Sequence, residues 1–204
     1  MKSPPSSRLA KSARPLRVAV TGGIGAGKSS ALAAFARHGA ATVSSDEIVH
    51  RILRSDPNVR RELVEHFGPQ VIGDDGTDRA VLGRIVFNDP NELEWLEELL
   101  HPRVVSAHNE WLAEQAALPD PPTLTVSEVP LLYETNADER FDVVVVITAP
   151  EQLRNERRPL SDRREERLLP EEEKLRLADY SYVNDGTLEE LDAFVADLVA
   201  RLTD

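Results

Sequence analysis

A glycine-rich segment followed by a lysine and a serine contains the residue types most directly suited to chemistry. It reads Gly22-Gly-Ile-Gly-Ala-Gly-Lys28-Ser29 and matches the Walker A pattern G-x-x-x-x-G-K-[ST]. Glycines let the backbone curl so that successive N–H groups point at phosphate oxygens, and a following helix adds the positive end of its dipole. Lys28 would reach the β- and γ-phosphates, and the Ser29 hydroxyl would ligate Mg²⁺. The segment therefore predicts a nucleoside triphosphate site rather than a glycine-rich turn that binds nothing.

The segments on either side of this motif are the ones that such a site needs. The apolar run Val18–Thr21 predicts a strand before it, and Ser30–Arg37 predicts a helix after it. A strand, loop and helix in this order present the loop's N–H groups and the helix N-terminus to one ligand. The residues predicted to surround the nucleotide are Gly23, Ile24, Gly25, Ala26, Gly27, Lys28, Ser29 and Ser30.

Three carboxylates are placed where an acid could assist phosphoryl transfer. Asp46 follows the predicted strand Ala41–Val43, at the carboxyl end where parallel sheets bind ligands, and could orient an acceptor hydroxyl and take its proton. An equally good interpretation makes Asp46 the N-cap of the helix that follows. Glu128 ends an apolar strand, as an acid assisting Mg²⁺ would, and Glu134 follows soon after. For these two, a surface or capping position is somewhat favoured.

Strands and helices alternate along the chain in the α/β manner. Further strands are predicted at Thr123–Val129, Asp142–Thr148 and Tyr180–Val183, the second a β-branched run typical of a buried parallel strand. Apolar residues from Leu188 to Leu202 recur at helical spacing. The pattern predicts a doubly wound, mostly parallel sheet that binds ligands at the carboxyl ends of its strands.

A long helical insertion interrupts the strands. Helices are predicted over five segments, several of which begin with Asp, Asn or Pro, while one ends at Gly68. This run exceeds an ordinary crossover, so it either forms a lobe that holds a second substrate or merely covers the sheet. The segments are Asp46–Arg54, Pro57–Phe67, Asp78–Phe87, Pro90–Leu100 and Pro102–Leu118.

Composition restricts the class of protein. The net charge of −12 argues against a nucleic-acid partner, because phosphate backbones are held by Lys and Arg. The absence of cysteine excludes disulfides and is compatible with a reducing cytoplasm. No apolar run approaches the ~20 residues that span a bilayer. Residues 1–16 are basic and rich in Ser and Pro, which favours a disordered extension over a signal or transit peptide.

Several motifs together resemble the dephospho-coenzyme A kinases, over nearly the whole chain from about Val18. They are Thr21-Gly-Gly-Ile-Gly-Ala-Gly-Lys-Ser29, Ser45-Asp-Glu-Ile48, Glu65-His-Phe-Gly68 with Asp75-Gly76, Val86-Phe87, Trp95-Leu96, Leu99-Leu-His-Pro102, Val129-Pro-Leu-Leu-Tyr-Glu134, and Ala178-Asp179 with Asn184-Asp-Gly186. The resemblance implies a P-loop kinase fold, an α/β three-layer sandwich with a helical substrate-binding insertion and a short lid. It also implies transfer of the γ-phosphoryl group of ATP, with Mg²⁺, to the ribose 3′-hydroxyl of dephospho-coenzyme A, the last step of coenzyme A synthesis.

The resemblance also assigns roles to residues. Asp46 matches the family's catalytic carboxylate, Arg157 a lid arginine and Asn184 a nucleotide-binding position. His101 falls in the insertion, as a substrate contact or a cap between two helices. The implied parts are an extension 1–16 and a kinase domain 17–204, comprising a nucleotide core (17–54 and 123–204), an acceptor-binding insertion (55–118) and a lid (151–177). We expect a cytoplasmic monomer or weak homo-oligomer that binds neither nucleic acid nor membrane.

Two departures from the family pattern are visible. Ser44 stands where the family commonly has a first Asp, so an auxiliary role for that acid is in doubt. The lid is shorter, and Ser161 stands where a second arginine is usual, so Arg163 or Arg164 would have to supply it. Most of this charged run is expected to be a solvated helix face.

Two other function classes stay open. Another P-loop kinase with a different acceptor would be expected to lack the Leu-Leu-His-Pro and Val-Pro-Leu-Leu-Tyr-Glu segments. A GTPase switch would need an Asn-Lys-x-Asp run, which does not occur. A non-catalytic nucleotide-binding relative is the remaining alternative, given the altered lid.

Overall fold

The computed structural model of this protein describes residues 14–157 and 168–204. Most of the predicted N-terminal extension lies outside the described residues. So do four of the arginines considered for the lid, namely Arg158, Arg163, Arg164 and Arg167. Within the described part, no helix is both long enough and apolar enough to cross a membrane.

The described residues form seven strands and eight α-helices. The strands are β1 (Leu16–Thr21), β2 (Ala41–Ser44), β3 (Ile72–Gly73), β4 (Gly76–Thr77), β5 (Leu124–Glu128), β6 (Val143–Thr148) and β7 (Tyr180–Val183). The helices are α1 (Lys28–Arg37), α2 (Ser45–Ser55), α3 (Pro57–Phe67), α4 (Arg79–Val86), α5 (Pro90–Ala116), α6 (Glu151–Arg157), α7 (Glu171–Leu177) and α8 (Leu188–Thr203). Short 3₁₀ turns occupy Pro69–Val71 and Ala137–Arg140.

The main sheet has the order β2-β5-β1-β6-β7, and every neighbouring pair is parallel. All five predicted strands are therefore confirmed to within one or two residues. The chain leaves β1 to one side of the sheet first and later returns to β6 on the other side. This is the topological switch point at which doubly wound sheets bind ligands, and it places the segment after β1 there.

Both faces of the sheet are buried, as the β-branched strands predict. Val18 and Val20 face one side, where they pack with Phe35 of α1 and Leu191 of α8. Ala19 lies in a second apolar cluster with Leu132, Tyr133, Val144 and Val146. Alternate residues of one strand enter opposite layers because side chains alternate across a strand. The α/β sandwich predicted from the sequence is confirmed.

The chain divides into two compact units. One comprises Met1–Ser44 and Leu112–Asp204 and contains the parallel sheet, and the other is Ser45–Trp111. In the second unit, the carboxylate of Asp56 accepts the backbone N–H groups of Asn58 and Val59 at the start of α3. Asp78 caps α4 in the same way. Both helices thus begin directly after a capping aspartate, which is the first residue of the predicted segment for α4 and the residue before it for α3.

One helix boundary predicted from the sequence is wrong. Pro90–Leu100 and Pro102–Leu118 are predicted as two helices, but α5 runs without interruption over Pro90–Ala116 with Pro102 inside it. A proline within a helix removes one backbone hydrogen bond and disfavours the preceding residue's helical conformation. The buried residues Leu96, Leu99, Leu100 and Leu112 lie on both sides of the proline, so packing holds the two halves in one helix.

Candidate active site

The glycine-rich segment forms the loop between β1 and α1. Gly27 is the N-cap of α1, and Lys28 is the first residue of the helix, two residues earlier than the predicted start. The Lys28 ammonium donates to the carbonyl of Gly23 at 3.0 Å, and Ala26 N donates to the same carbonyl at 3.3 Å. The loop is thus closed on itself, next to the positive end of the α1 dipole.

At Gly22 and Gly27 of this loop, a positive φ and a close neighbour together favour glycine. Gly22 has a φ of 143°, and a side chain there would collide with the main-chain carbonyl of Ile147 in β6. Gly27 has a φ of 99°, and a side chain there would collide with the amide of Asn184. Glycine adopts such φ values at no steric cost. The close approach of β6 and Asn184 therefore explains why glycine stands at both positions.

The hydroxyl of Ser29 lies beside a buried carboxylate. Its Oγ donates to Glu128 Oε2 at 3.4 Å, and Glu128 is 6% exposed at the carboxyl end of β5. The surface or capping position favoured for Glu128 from the sequence is wrong. Glu128 lies opposite Val20 of β1 and Ser44 of β2 in the parallel ladder. A hydroxyl and a buried carboxylate side by side are oxygen ligands of the kind that Mg²⁺ prefers.

Two further residues named from the sequence lie against the same loop. The Asn184 side chain is 4% exposed and donates from Nδ2 to the carbonyl of Ala26 at 2.8 Å. Arg157, at the end of α6, donates to the carbonyl of Gly25 at 3.4 Å and to that of Asn184 at 3.3 Å. The structure thus brings a guanidinium group to the loop, where the negative charge of a bound triphosphate would lie.

Arg154 also lies at the loop, although no motif in the sequence marks it. A Cβ atom built on Gly23 would come within 2.7 Å of the Arg154 guanidinium, and one built on Gly25 within 2.8 Å of the Arg154 carbonyl. Arg154 precedes Arg157 by three residues, so both lie on one side of α6. This three-residue spacing from Arg157, in the helix that follows β6, is the only feature of the sequence that points to Arg154.

A cavity of about 180 Å³ adjoins the loop at Gly22 and Gly23. One of the side chains lining it is Lys174 of α7, whose side chain is only 2% exposed. Its Nζ lies 2.8 Å from Oε1 of Glu134, which also accepts the backbone N–H of Leu169 at 2.8 Å. With a side chain 13% exposed, Glu134 does not have the surface position favoured from the sequence. The Glu134 carboxylate therefore fixes the start of the α7 region beside this cavity.

Asp46 belongs to the second compact unit. Helix α2 begins at Ser45, directly after β2, so Asp46 is the second helical residue and its side chain is exposed. The N-cap interpretation of Asp46 is therefore wrong, since an N-cap residue precedes the first helical one. Its carboxylate is an acidic group in the first turn, where the helix dipole favours negative charge.

His101 is an exposed residue inside α5. Because the helix continues through Pro102, His101 does not cap a break between two helices, and that interpretation is wrong. Its alternative role as a substrate contact stays a prediction.

Comparisons with known proteins agree with the kinase fold that the phosphate loop indicates. The family model described as CoaE, dephospho-CoA kinase, matches residues 16–190. A dephospho-CoA kinase of Thermobifida fusca is 36% identical over 201 residues, covering 92% of this chain and 96% of that protein. One from Coxiella burnetii is 33% identical over 183 residues, covering 85% and 89%.

Solved structures give the same result. The crystal structure of TT1252 from Thermus thermophilus has a TM-score of 0.74 and 32% identity, with 94% of this chain and all of that chain covered. Dephospho-CoA kinase from Campylobacter jejuni has a TM-score of 0.69 and 26% identity, with 92% and 96% covered. By its phosphate loop, its fold and these relatives, the chain belongs to the dephospho-CoA kinase family.

Proposed function

We propose that this protein transfers the γ-phosphoryl group of ATP to the ribose 3′-hydroxyl of dephospho-coenzyme A, the final step of coenzyme A biosynthesis. The observation that carries the proposal is the closed phosphate loop, with Lys28 at the start of α1 and the Ser29 hydroxyl beside buried Glu128. Membership of the dephospho-CoA kinase family over residues 16–190 supports the identity of the acceptor.

The triphosphate is assigned to the loop between β1 and α1. Its N–H groups and the Lys28 ammonium would hold the β- and γ-phosphates, while Arg157 would face the charge that spreads over the γ-phosphoryl oxygens during transfer. Arg154 would add a second cation from the same helix. Asn184 would act indirectly, because its side chain donates to the Ala26 carbonyl and so holds the loop in shape.

Mg²⁺ is proposed to be held by Ser29, with Glu128 close by. The pairing of a hydroxyl with a buried carboxylate fits a hard cation that takes oxygen ligands and keeps several waters and phosphate oxygens in its shell. The ion, when bound, would neutralise charge on the β- and γ-phosphates. Ser44 of β2 stands in place of the family's first Asp, but Glu128 of the neighbouring strand β5 would still supply a buried acid to the site.

The acceptor is assigned to the unit Ser45–Trp111, with Asp46 as the general base. Asp46 would orient the 3′-hydroxyl and receive its proton as the 3′-oxygen forms its bond to the γ-phosphorus. The bond between that phosphorus and the β–γ bridging oxygen breaks, and ADP leaves with the electron pair. An exposed carboxylate fits this role because the base must meet a substrate that arrives from solvent.

The remaining expectations concern the setting of the reaction. We propose that the enzyme works in the cytoplasm, with which its cysteine-free sequence is compatible. A monomer or weak homo-oligomer is expected, which analytical ultracentrifugation across a range of protein concentrations would test.

Coupled ADP release tests the proposed function directly. The purified chain is given ATP and Mg²⁺ with dephospho-coenzyme A, and in parallel with shikimate, gluconate, adenosine and AMP. We expect kcat/KM for dephospho-coenzyme A to exceed that for every other acceptor, the product to carry a 3′-phosphate by ³¹P NMR, and chelation of Mg²⁺ to stop the reaction. ATP hydrolysis without any acceptor preference would overturn the proposal.

A further inference from the structure

The unit Ser45–Trp111 contains a cleft of about 600 Å³ that is rich in cations. Arg51 and Arg54 of α2 line it together with His50 of the same helix and Arg79 from the start of α4. One carboxylate, Asp75, is also at the cleft. The whole chain has 36 acidic residues against 24 lysines and arginines, so a concave surface lined by three arginines departs strongly from the rest of the protein.

The three arginines keep their charge available within the described part of the chain. Within residues 14–157 and 168–204, Arg51, Arg54 and Arg79 form no salt bridge with a carboxylate. The Arg79 guanidinium instead donates to Nδ1 of His50 at 3.2 Å. Since an arginine can only donate, this bond leaves the second ring nitrogen of a neutral His50 as a donor. The cleft therefore presents hydrogen-bond donors and positive charge.

The carbonyl groups at the end of α2, which would repel an anion, are occupied. Thr77 Oγ1 donates to the carbonyl of Leu53 at 2.7 Å, and the Arg60 guanidinium donates to that of Arg54 at 3.1 Å. The β3–β4 hairpin also packs closely here, since a Cβ atom on Gly76 would lie 2.7 Å from the Arg54 carbonyl. The cleft wall is thus fixed by contacts that do not consume the arginine charges.

Helix α2 carries both this cleft and the proposed general base. Asp46, His50 and Arg54 are spaced i, i+4 and i+8, which places them on the same side of one helix. At 1.5 Å of rise per residue, His50 and Arg54 lie about 6 Å and about 12 Å along the axis from Asp46. In the proposed acceptor, the 3′-hydroxyl and the 5′-diphosphate belong to one ribose and are only a few bonds apart. The helix therefore offers a base and a set of cations at a spacing comparable to that of the two groups of the substrate.

We propose that the cleft formed by His50, Arg51, Arg54 and Arg79 binds the 5′-diphosphate of the acceptor. The inference rests on the proposed function and deepens it, because it specifies which part of the acceptor the unit Ser45–Trp111 recognises. Arginine suits this task, since its planar guanidinium group makes bidentate, charge-assisted hydrogen bonds to phosphate oxygens. The cleft would then hold the ribose so that its 3′-hydroxyl lies near Asp46.

Kinetics with charged and uncharged acceptors test this site. Arg51→Gln, Arg54→Gln and Arg79→Gln each remove one charge and keep part of the aliphatic stem. Each is expected to raise KM for dephospho-coenzyme A about 10-fold, and the triple variant about 100-fold or more, with KM for ATP unchanged. The kcat/KM for adenosine, which lacks the diphosphate, should stay at its wild-type value. Arg61→Gln is the matched control, since Arg61 is an exposed arginine on α3 paired with Glu65.

Lysine variants and a binding experiment complete the test. Arg→Lys at the three positions should restore part of the affinity for dephospho-coenzyme A, which a purely structural role would not predict. Binding of inorganic pyrophosphate is measured calorimetrically in the Lys28→Ala background, where the phosphate loop is weakened, with and without the three Gln substitutions. Loss of binding with the Gln substitutions supports the site, and equal binding overturns it even if the wild-type enzyme uses another acceptor. A triple variant that folds and keeps the wild-type KM for dephospho-coenzyme A would also refute it.

Discussion

At the scale of single residues, Asp46 is the group on which the proposed chemistry depends most. Asp46→Asn keeps the shape of the side chain but removes the base, so we expect kcat to fall about 10²–10⁴-fold with acceptor KM little changed. Because Asp46 lies in the first turn of α2 and is exposed, the lost dipole interaction should cost no more than about 1 kcal/mol of unfolding free energy. Turnover and thermal unfolding are measured on one preparation.

The neighbouring acid supplies the control for this experiment. Glu47 is exposed in the same first turn of α2 and carries the same charge relative to the helix dipole. Glu47→Gln should therefore change stability by a similar amount and leave kcat at the wild-type value. If both variants keep full turnover, Asp46 is only a first-turn acid, and the base must be sought elsewhere.

The residues around the loop differ in how far the sequence could reveal them. Lys28 and Ser29 are predictable because the loop needs their types at fixed spacing within one local segment. Glu128 was identified as a candidate acid, but its burial depends on β1 and β2, which flank it on either side and are distant in sequence. A single carboxylate at a strand end does not reveal such neighbours, which is why the sequence alone favours a surface or capping position for Glu128.

At the scale of elements, α6 is the helix whose arginines meet the phosphate loop. Arg157→Ala and Arg154→Ala should each lower kcat more than they raise KM for ATP, because cations beside the γ-phosphoryl group act mainly on charge in the transition state. Steady-state kinetics at varied ATP measures both constants. Arg176→Ala is the control, since Arg176 is an exposed arginine of α7 paired with Glu172. An unchanged kcat in both variants would show that the arginines of α6 do not take part in catalysis.

The start of β1 is attached to β6 by an ion pair whose contribution depends on pH. Arg14 donates to both oxygens of Asp142 at 2.8 and 2.9 Å, and the backbone N–H of Arg17 donates to Asp142 Oδ2 at 2.8 Å. Burial by itself would raise the pKa of Asp142, but these hydrogen bonds outweigh it and hold the pKa below its ordinary value. A carboxylate with a lowered pKa in the folded state stabilises the fold at pH values above its unfolded pKa.

Asp142→Asn tests this attachment. The variant should unfold at a lower temperature than the wild type at neutral pH. The difference should shrink as the pH falls below the ordinary aspartate pKa of about 3.9 and towards the lower folded value, because the wild type then loses the charge as well. Circular dichroism melts between pH 7 and pH 3 measure it. Asp120→Asn, at an exposed carboxylate of the segment before β5, should match the wild type throughout. A difference that stays constant with pH would contradict the ionic origin.

Helix α5 illustrates the limit of local rules. Proline is a sound stop signal, and the sequence around Pro102 correctly predicts helix on both sides of it. Whether the two halves join depends on packing in the tertiary structure, which outweighs a cost of about 3 kcal/mol for an interior proline. Leu99 and Leu100 before the proline and Leu112 after it are buried, so the continuous helix follows from contacts that no local pattern contains.

At the scale of the whole molecule, the parallel sheet was predictable and the acceptor cleft was not. The five strands are short segments of apolar and β-branched residues, and helices separate them along the chain. The right-handedness of parallel crossovers then leaves few ways to arrange them in a sheet. The cleft depends instead on the contact between Arg79 and His50, which lie in one compact unit but are 29 residues apart in sequence. Neither residue belongs to a motif with a known spacing, so only the folded chain shows that they share a surface.

The assignment of two substrates to separate sets of residues makes a prediction about the stability of the whole protein. A ligand that binds only the folded state at 100 times its Kd should add about 2.7 kcal/mol to the free energy of unfolding. For a chain of this length, 1 kcal/mol corresponds to a rise in Tm of about 2–4 °C. ADP with Mg²⁺ should therefore raise Tm by about 5–10 °C, and dephospho-coenzyme A should do the same where its affinity allows the same excess.

The variants should lose these shifts selectively. We expect Lys28→Ala to lose most of the shift with ADP and to keep the shift with dephospho-coenzyme A. The variant with Arg51, Arg54 and Arg79 all changed to Gln should show the reverse. Asp46→Asn should keep both, since a general base contributes to the transition state more than to binding. Differential scanning calorimetry on the four proteins with each ligand measures the shifts. If Lys28→Ala and the arginine variant lose the same shifts, the two ligands are not held by separate sets of residues, and the assignment of the acceptor to the unit Ser45–Trp111 is wrong.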